Sequence, residues 1–444
     1  MGLVTPAADH AQRRAPFPEG TLPVGFALLI AGVATYAFFR VGTRALGGDE
    51  EFAPISALWF ATFSLAPGFF LPLEQELGRA LAHRRANGQG GQPVVRRVMM
   101  LGAMLAGVVL LAIAVASPAI TKHYFEGDWF MLAALAVAFV AYAPAHLARG
   151  ICSGTGRFRD YAVIMGSDGV VRIVLCVGLA GIGVTAAGPY GLAVGLAPLF
   201  AVGFVVGRGH LKTEPGPEST WNEVTPNLGW LLIGSVFGAA LLNAGVVAAN
   251  LLADDDEREL VTQFAYGVLL ARIPLFMFQA VQAALLPRLS RLAARNELVE
   301  FRAGLRTLTK IVVAVGVIGT TGAFILGPFV IERFYGAELT GRTLAMLALS
   351  SACYMLALAT AQAVIALRGH ALVALGWAIG FVTFAITVMV AGDQLFRRIE
   401  IALLAASLTS MATFALALRS KLAEGVVPSG ASVMDAITTQ PLET

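Results

Sequence analysis

Hydrophobic runs of membrane-crossing length, separated by short polar breaks, fill almost the whole chain. An apolar helix needs about 20 residues to cross the hydrocarbon core, and in lipid it must be a helix because nothing there satisfies free backbone groups. That rule predicts twelve spans. The first six lie near 22–40, 53–76, 98–118, 128–148, 161–183 and 187–207, and the second six near 227–251, 262–286, 308–330, 343–367, 371–391 and 399–418. The expected fold is an all-α polytopic membrane protein with two six-helix lobes around a central cavity. Its segments are a cytoplasmic stretch at 1–20, a first lobe at 21–215, a second lobe at 216–420 and a disordered cytoplasmic tail at 421–444.

Six spans per half put both halves in the same orientation, which is a parallel repeat about an axis along the membrane normal. One local echo supports it. Leu71-Pro72 leads to Leu77-Gly78, and 215 positions later Leu286-Pro287 leads to Leu292-Ala293.

The longest breaks, 77–97, 208–226 and 287–307, leave no room for a folded extramembrane domain. That argues against membrane glycosyltransferases, polymerases and ligases, and against an enzyme in general. No Gly-x-x-x-x-Gly-Lys-Ser/Thr phosphate cradle occurs, so ATP does not drive the protein. No cofactor is implied. Coupling to H+ or Na+, or to the membrane potential, is the remaining source of energy beside the substrate gradient.

Composition agrees, with 57% hydrophobic and 13% charged residues and a mean hydropathy of +0.75. A net charge of +3 with scattered arginines gives no nucleic-acid footprint. Basic residues report topology instead, because they are retained on the cytoplasmic side during insertion. With the amino terminus inside, 21 Lys and Arg fall on the cytoplasmic side and 8 on the other. Both termini are therefore expected in the cytoplasm of a cell whose inner membrane holds the protein. The first span serves as insertion signal and anchor. Cys152, Cys176 and Cys353 read as small apolar residues, and the histidines are scattered without metal-ligand spacing.

Ionisable groups inside spans are costly, so each is a candidate site. Asp168 and Arg172 lie on one helical face at i, i+4. They are either an internal ion pair that fixes packing or an anion site in which Asp168 holds Arg172. Arg272, two residues before Pro274, has the planar fork that suits pyrophosphate oxygens, or else it pairs locally. Gln279 and Gln282 could bond sugar hydroxyls or act as interhelical glue. Asn243 and Asn250, seven apart on one face, could line the cavity or pack. Glu74, Glu76 and Arg149 lie near the cytoplasmic mouth. For the two glutamates a helix-end salt-bridge cluster competes with proton or sodium exchange.

Arg149-Gly150-Ile151-Cys152-Ser153-Gly154-Thr155-Gly156-Arg157-Phe158-Arg159-Asp160-Tyr161, followed by Asp168-Gly169 and Arg172, resembles the loop between helices four and five in polysaccharide-export flippases. Those belong to the multidrug/oligosaccharidyl-lipid/polysaccharide exporter superfamily. Leu285-Leu286-Pro287-Arg288-Leu289-Ser290-Arg291 is similar to the end of helix eight in the same superfamily, lipid II flippases included. The resemblance covers roughly residues 20 to 420. It implies lobe rocking and outward flipping of a polyprenyl-pyrophosphate-linked oligosaccharide, with membrane lipids and polysaccharide-assembly proteins as further partners. Lipid II flippases usually carry several cavity arginines in the first two helices. Here Arg40 and Arg44 sit at the outer end of the first helix, which favours a surface polysaccharide precursor. A cation-coupled drug or metabolite antiporter of the same fold and a non-transporting scaffold of an assembly complex are the alternatives.

Overall fold

The computed structural model describes residues 21–424 apart from 226, 255–256, 276–277, 279–288, 290–291 and 294–296. The expected segment 1–20, most of the expected tail, Gln279, Gln282 and the Leu286-Pro287 half of the repeat lie outside the described residues.

The described chain is helical throughout. In order the elements are α1 (Thr21–Leu46), α2 (Asp49–Ala86), α3 (Gln92–His123), α4 (Trp129–Gly154), α5 (Phe158–Gly181) and α6 (Ala187–Gly207). After a one-turn α7 (Trp221–Val224) come α8 (Leu228–Leu252), α9 (Arg258–Ala271), α10 (Leu298–Tyr335), α11 (Gly341–Ala366), α12 (His370–Val390) and α13 (Leu395–Glu424). Eleven helices among the described residues are long and apolar enough to cross a membrane. The expected span 262–286 is described only through α9 and a few residues after it.

Helix ends follow local chemistry. The Asp128 carboxylate accepts the backbone N–H of Phe130 at 2.7 Å and of Met131 at 3.2 Å, which starts α4. Thr340 caps α11 in the same way through Thr343 N–H, and Gly336 closes α10 in the left-handed conformation. Both α2 and α10 run for 38 residues, about 57 Å at 1.5 Å per residue, so they project well beyond a bilayer core. The apolar pattern marks only the part of a helix that lipid would cover. Charged turns such as Glu76–Arg85 continue the same hydrogen-bonded helix.

Two six-helix lobes, α1–α6 and α8–α13, pack alike. In the first, α1 packs on α5, α2 on α4, α3 on α4, and α6 on both α4 and α5. In the second, α8 packs on α12, α9 on α11, α10 on α11, and α13 on both α11 and α12. Each of these first-lobe contacts has its counterpart seven labels later. The lobes meet chiefly along α2, which lies against α8 and then α9. Gly68 permits the approach, since a Cβ there would sit 3.0 Å from the Val236 Cα.

Both lobes share a continuous buried cluster, dense in rings where α1 and α2 meet. Phe38, Phe39, Phe52, Trp59 and Phe60 pack edge to face or stacked in that region. The outward faces of α3 and α10 are the reverse of a soluble surface. Met104, Val108, Leu111 and Val115 project from α3, and Val317, Ile318, Ile325 and Phe329 from α10. Such faces suit lipid chains.

Arg79, Arg84 and Arg97 gather around the crossover at one end of the molecule, the basic end, where Arg302 and Arg306 lie in the first turns of α10. The crossover between lobes is strapped there by Arg84, whose side chain is almost fully buried. Its guanidinium holds Glu223 at 2.6 and 2.9 Å and donates to the carbonyls of Gly90, Pro217 and Glu218. A bidentate carboxylate together with three carbonyls saturates an arginine fork.

Candidate functional site

The middle of α2 carries Trp59, Phe60 and Phe63, and each lobe lays a buried arginine against this ridge. From α5, Arg172 stands over Trp59 at 4.6 Å and Phe63 at 5.3 Å. It donates to Asp168 Oδ2 at 2.7 Å and to the Tyr142 hydroxyl at 3.1 Å. At the C-cap of α9, Arg272 stands over Phe60 at 5.6 Å and donates to Asn243 Oδ1 at 2.8 Å and to the Leu242 carbonyl. Ring faces attract a guanidinium electrostatically, and more strongly once water is removed.

The two arginines differ in compensation. Arg172 has a carboxylate within one helical turn, although Asp168 Oδ1 and Arg172 Nε keep unused bonding capacity among the described residues. Arg272 is 8% exposed, and its bonded partners among the described residues are neutral. A buried cation without a counter-charge costs several kcal/mol, so this position favours whatever anion can reach it. A cavity of about 30 Å³ opens beside it, lined by Ser350, Ser351, Tyr354 and Ser407.

The helix ends where it does for a local reason. Pro274 disfavours continuation of regular α-helix through the residues before it. The chain turns at Arg272, whose N–H reaches only as far back as the Leu269 carbonyl.

Asn243 joins the lobes. Its Nδ2 donates to the Phe63 carbonyl across the seam at 3.1 Å and to Ala239 in its own helix at 3.0 Å. Asn250 bonds its own helix at Val246 and lines a cavity of about 480 Å³ at the opposite end from the basic one. That cavity lies between the lobes, with Lys122, His123, Glu126 and Trp129 on one side and Asn250 and Arg258 on the other. Glu126 and Arg258 pair across it. Further in, Tyr266 donates to Asp49 at 2.6 Å and Thr43 bonds Tyr266, while Arg40 reaches the Tyr335 carbonyl at 3.1 Å.

Glu74 and Arg149, both named from sequence, come together inside the first lobe. Glu74 on α2 accepts from His146 at 2.8 Å and Arg149 at 2.7 Å on α4, and from Tyr161 at 2.8 Å on α5. Glu76 is apart from this group and pairs with Arg79 at 2.7 Å, one turn on inside α2 and not at a helix end, since α2 continues to Ala86. Sequence reasoning missed Trp59, Phe60, Phe63, Tyr142, His146 and Tyr161. The first three had one sequence signal, ring density upstream of Pro67, which a hydropathy count does not separate from lipid-facing bulk.

The family and fold comparisons place this two-lobed chain among the membrane transporters of the multidrug/oligosaccharidyl-lipid/polysaccharide superfamily. Residues 162–423 match the family described as lipid II flippase MurJ, and the chain belongs to that family. Two similar relatives are uncharacterized proteins, Rv3630 of Mycobacterium tuberculosis (strain ATCC 25618 / H37Rv) and Mb3654 of Mycobacterium bovis (strain ATCC BAA-935 / AF2122/97). Each is 25% identical over 368 residues, covering 80% of this chain and 81% of the relative. Among solved structures, a multidrug resistance MATE family transporter in an inward-facing conformation aligns with a TM-score of 0.69 at 12% identity, over 95% of this chain and 99% of that one. The Vibrio cholerae MATE transporter VcmN in its bent form gives 0.62 at 14% identity, over 91% and 97%. At these identities the likeness is one of fold.

Proposed function

We propose that the protein flips a polyprenyl-pyrophosphate-linked saccharide from the inner to the outer leaflet of the cytoplasmic membrane, with both termini inside. Alternating rotation of the two lobes exposes the seam to either side without ATP, driven by an H+ or Na+ gradient or the membrane potential. The observation that carries this reading is Arg272, a guanidinium buried at the lobe seam whose bonded partners among the described residues are neutral. A pyrophosphate supplies the missing charge and matches the fork geometry of arginine. Arg172 lies on the other side of the α2 ridge and offers a second fork from the opposite lobe.

Family membership supports lipid II as cargo. The position of Arg40, held on the Tyr335 carbonyl away from the basic end, supports a surface-polysaccharide precursor instead. Their shared chemistry is the polyprenyl pyrophosphate, and the proposal rests on that. Asp168, the acid deep in the first lobe, would suit a cation-coupled antiporter, but its bond to Arg172 engages the carboxylate that such coupling needs.

Depletion in the native cell tests the function. Inner-leaflet lipid II and lipid-linked polysaccharide repeat units are measured separately, with rescue by wild type or by Arg172→Ala with Arg272→Ala. The expected result is build-up of one pool, relieved by wild type alone, and that pool names the saccharide. No build-up of either would overturn the proposal.

A further inference from the structure

Pro67 lies inside α2 and has no N–H, so the carbonyl four residues earlier loses its intrahelical donor. That carbonyl belongs to Phe63. It does not stay empty, because Asn243 of the second lobe donates Nδ2 to it at 3.1 Å. The other end of the same amide, Oδ1, accepts from Arg272 at 2.8 Å. One buried side chain, 2% exposed, thus connects a guanidinium whose bonded partners among the described residues are neutral to the backbone of the opposite lobe.

We infer that Asn243 is a latch through which head-group binding releases the lobes from one another. This rests on the reading of Arg272 as the anion site. A pyrophosphate oxygen is a stronger acceptor for the guanidinium than a neutral amide oxygen, because the bond becomes charge-assisted on both sides. An anion at Arg272 therefore takes NH1 from Asn243. Once Oδ1 is unpaired, the amide is held only by its Nδ2 bonds, to Ala239 in its own helix and to Phe63 across the seam, and the bond across the seam is the one that lobe motion then breaks. The seam then retains packing at Gly68 and Val236, the Ser235 bond to the Pro67 carbonyl at 3.2 Å and the Tyr36 bond to the Leu269 carbonyl, with the Asn243 link between Arg272 and α2 gone. Asn243 acts through Arg272 and is a positioning residue. Binding favours the open arrangement only to the extent that the anion prefers it, and the exchange of acceptors at Arg272 is the source of that preference.

The full-length protein in nanodiscs provides the test, with undecaprenyl pyrophosphate as probe. Spin labels on Gln89→Cys in the first lobe and Arg302→Cys in the second, both at exposed basic-end positions, report lobe separation. Probe should shift the wild-type distance distribution. Asn243→Leu should show the shifted distribution without probe and bind it at least as tightly as wild type. Asn243→Asp, which neutralises Arg272, should bind at least about tenfold more weakly. A purely structural asparagine would make both variants weaken binding together, and that result would overturn the latch. Pro67→Ala returns a helical donor to the Phe63 carbonyl without touching position 243, and it should reproduce the Asn243→Leu shift even where the latter folds poorly. Arg272→Ala separates the two claims. If it binds probe like wild type, the anion-site reading falls. If it loses binding while Asn243→Leu and Pro67→Ala keep the wild-type distribution without probe, the latch alone falls.

Discussion

Arg172 and Arg272 are both buried, yet their removal has opposite consequences for stability. Replacing Arg172 leaves Asp168 with an unpaired charge inside the first lobe, so Arg172→Met should destabilise by on the order of 3 kcal/mol. Arg272 leaves behind only neutral acceptors. Arg272→Met should therefore unfold at the same or a higher temperature than wild type, gaining up to about 1 kcal/mol while losing anion binding. Thermal unfolding of the two variants in one detergent compares them directly, and an Arg272→Met loss as large as that of Arg172→Met would contradict the assignment. The Asp168 and Arg172 pair was legible in the sequence because a helix puts i and i+4 together. Trp59 and Tyr142, which complete its surroundings, come from helices far away in the chain. His146 read as one of several scattered histidines for the same reason, since its partner Glu74 is 72 positions away.

Among the elements, α2 does most to organise the molecule. It touches seven other helices, crosses the seam and carries three interior prolines. Near its basic end Glu74 ties it to α4 and α5, so the network fixes three helices through one carboxylate. Glu74→Gln keeps the shape and an acceptor but leaves Arg149 without its counter-charge. It should cost about 3 kcal/mol, whereas Tyr161→Phe, which removes one neutral donor, should cost about 1 kcal/mol. Unfolding of both variants checks the ranking, and equal losses would mean that the charge pair is not what binds the helices. Span order was legible, and eleven of the twelve expected spans are found among the described residues, because hydropathy measures what lipid would cover. The true length of α2 and α10 was not, since a helix extends past the bilayer wherever its charged turns find partners. The repeat was faint in sequence, one Leu-Pro echo, because equivalent helices need share only packing directions and not residues.

At the scale of the whole molecule, the lobes are joined in three ways that differ in permanence. Arg84 straps the crossover to the first lobe through a bidentate carboxylate and three carbonyls, so the crossover should move with that lobe. The opposite end is closed by side-chain pairs such as Glu126 with Arg258 and Asp49 with Tyr266, which can part. Between them lies the seam at Phe63, Asn243 and Arg272, the proposed anion site. A two-lobe architecture could be read from equal span counts, but which faces meet could not, because helix periodicity does not distinguish a partner helix from lipid. The central claim is that this seam carries a polyprenyl pyrophosphate across the bilayer. Its most direct test is reconstitution of the purified protein into liposomes with a fluorescent undecaprenyl-pyrophosphate saccharide, followed by quenching of the dye from outside as the lipid changes leaflet. Wild type should equilibrate the probe between leaflets, Arg272→Ala should lower the rate at least about tenfold, and Arg172→Lys, which keeps charge but loses the fork, should fall between them. Equal rates for wild type and Arg272→Ala, or no flipping above protein-free liposomes, would contradict it.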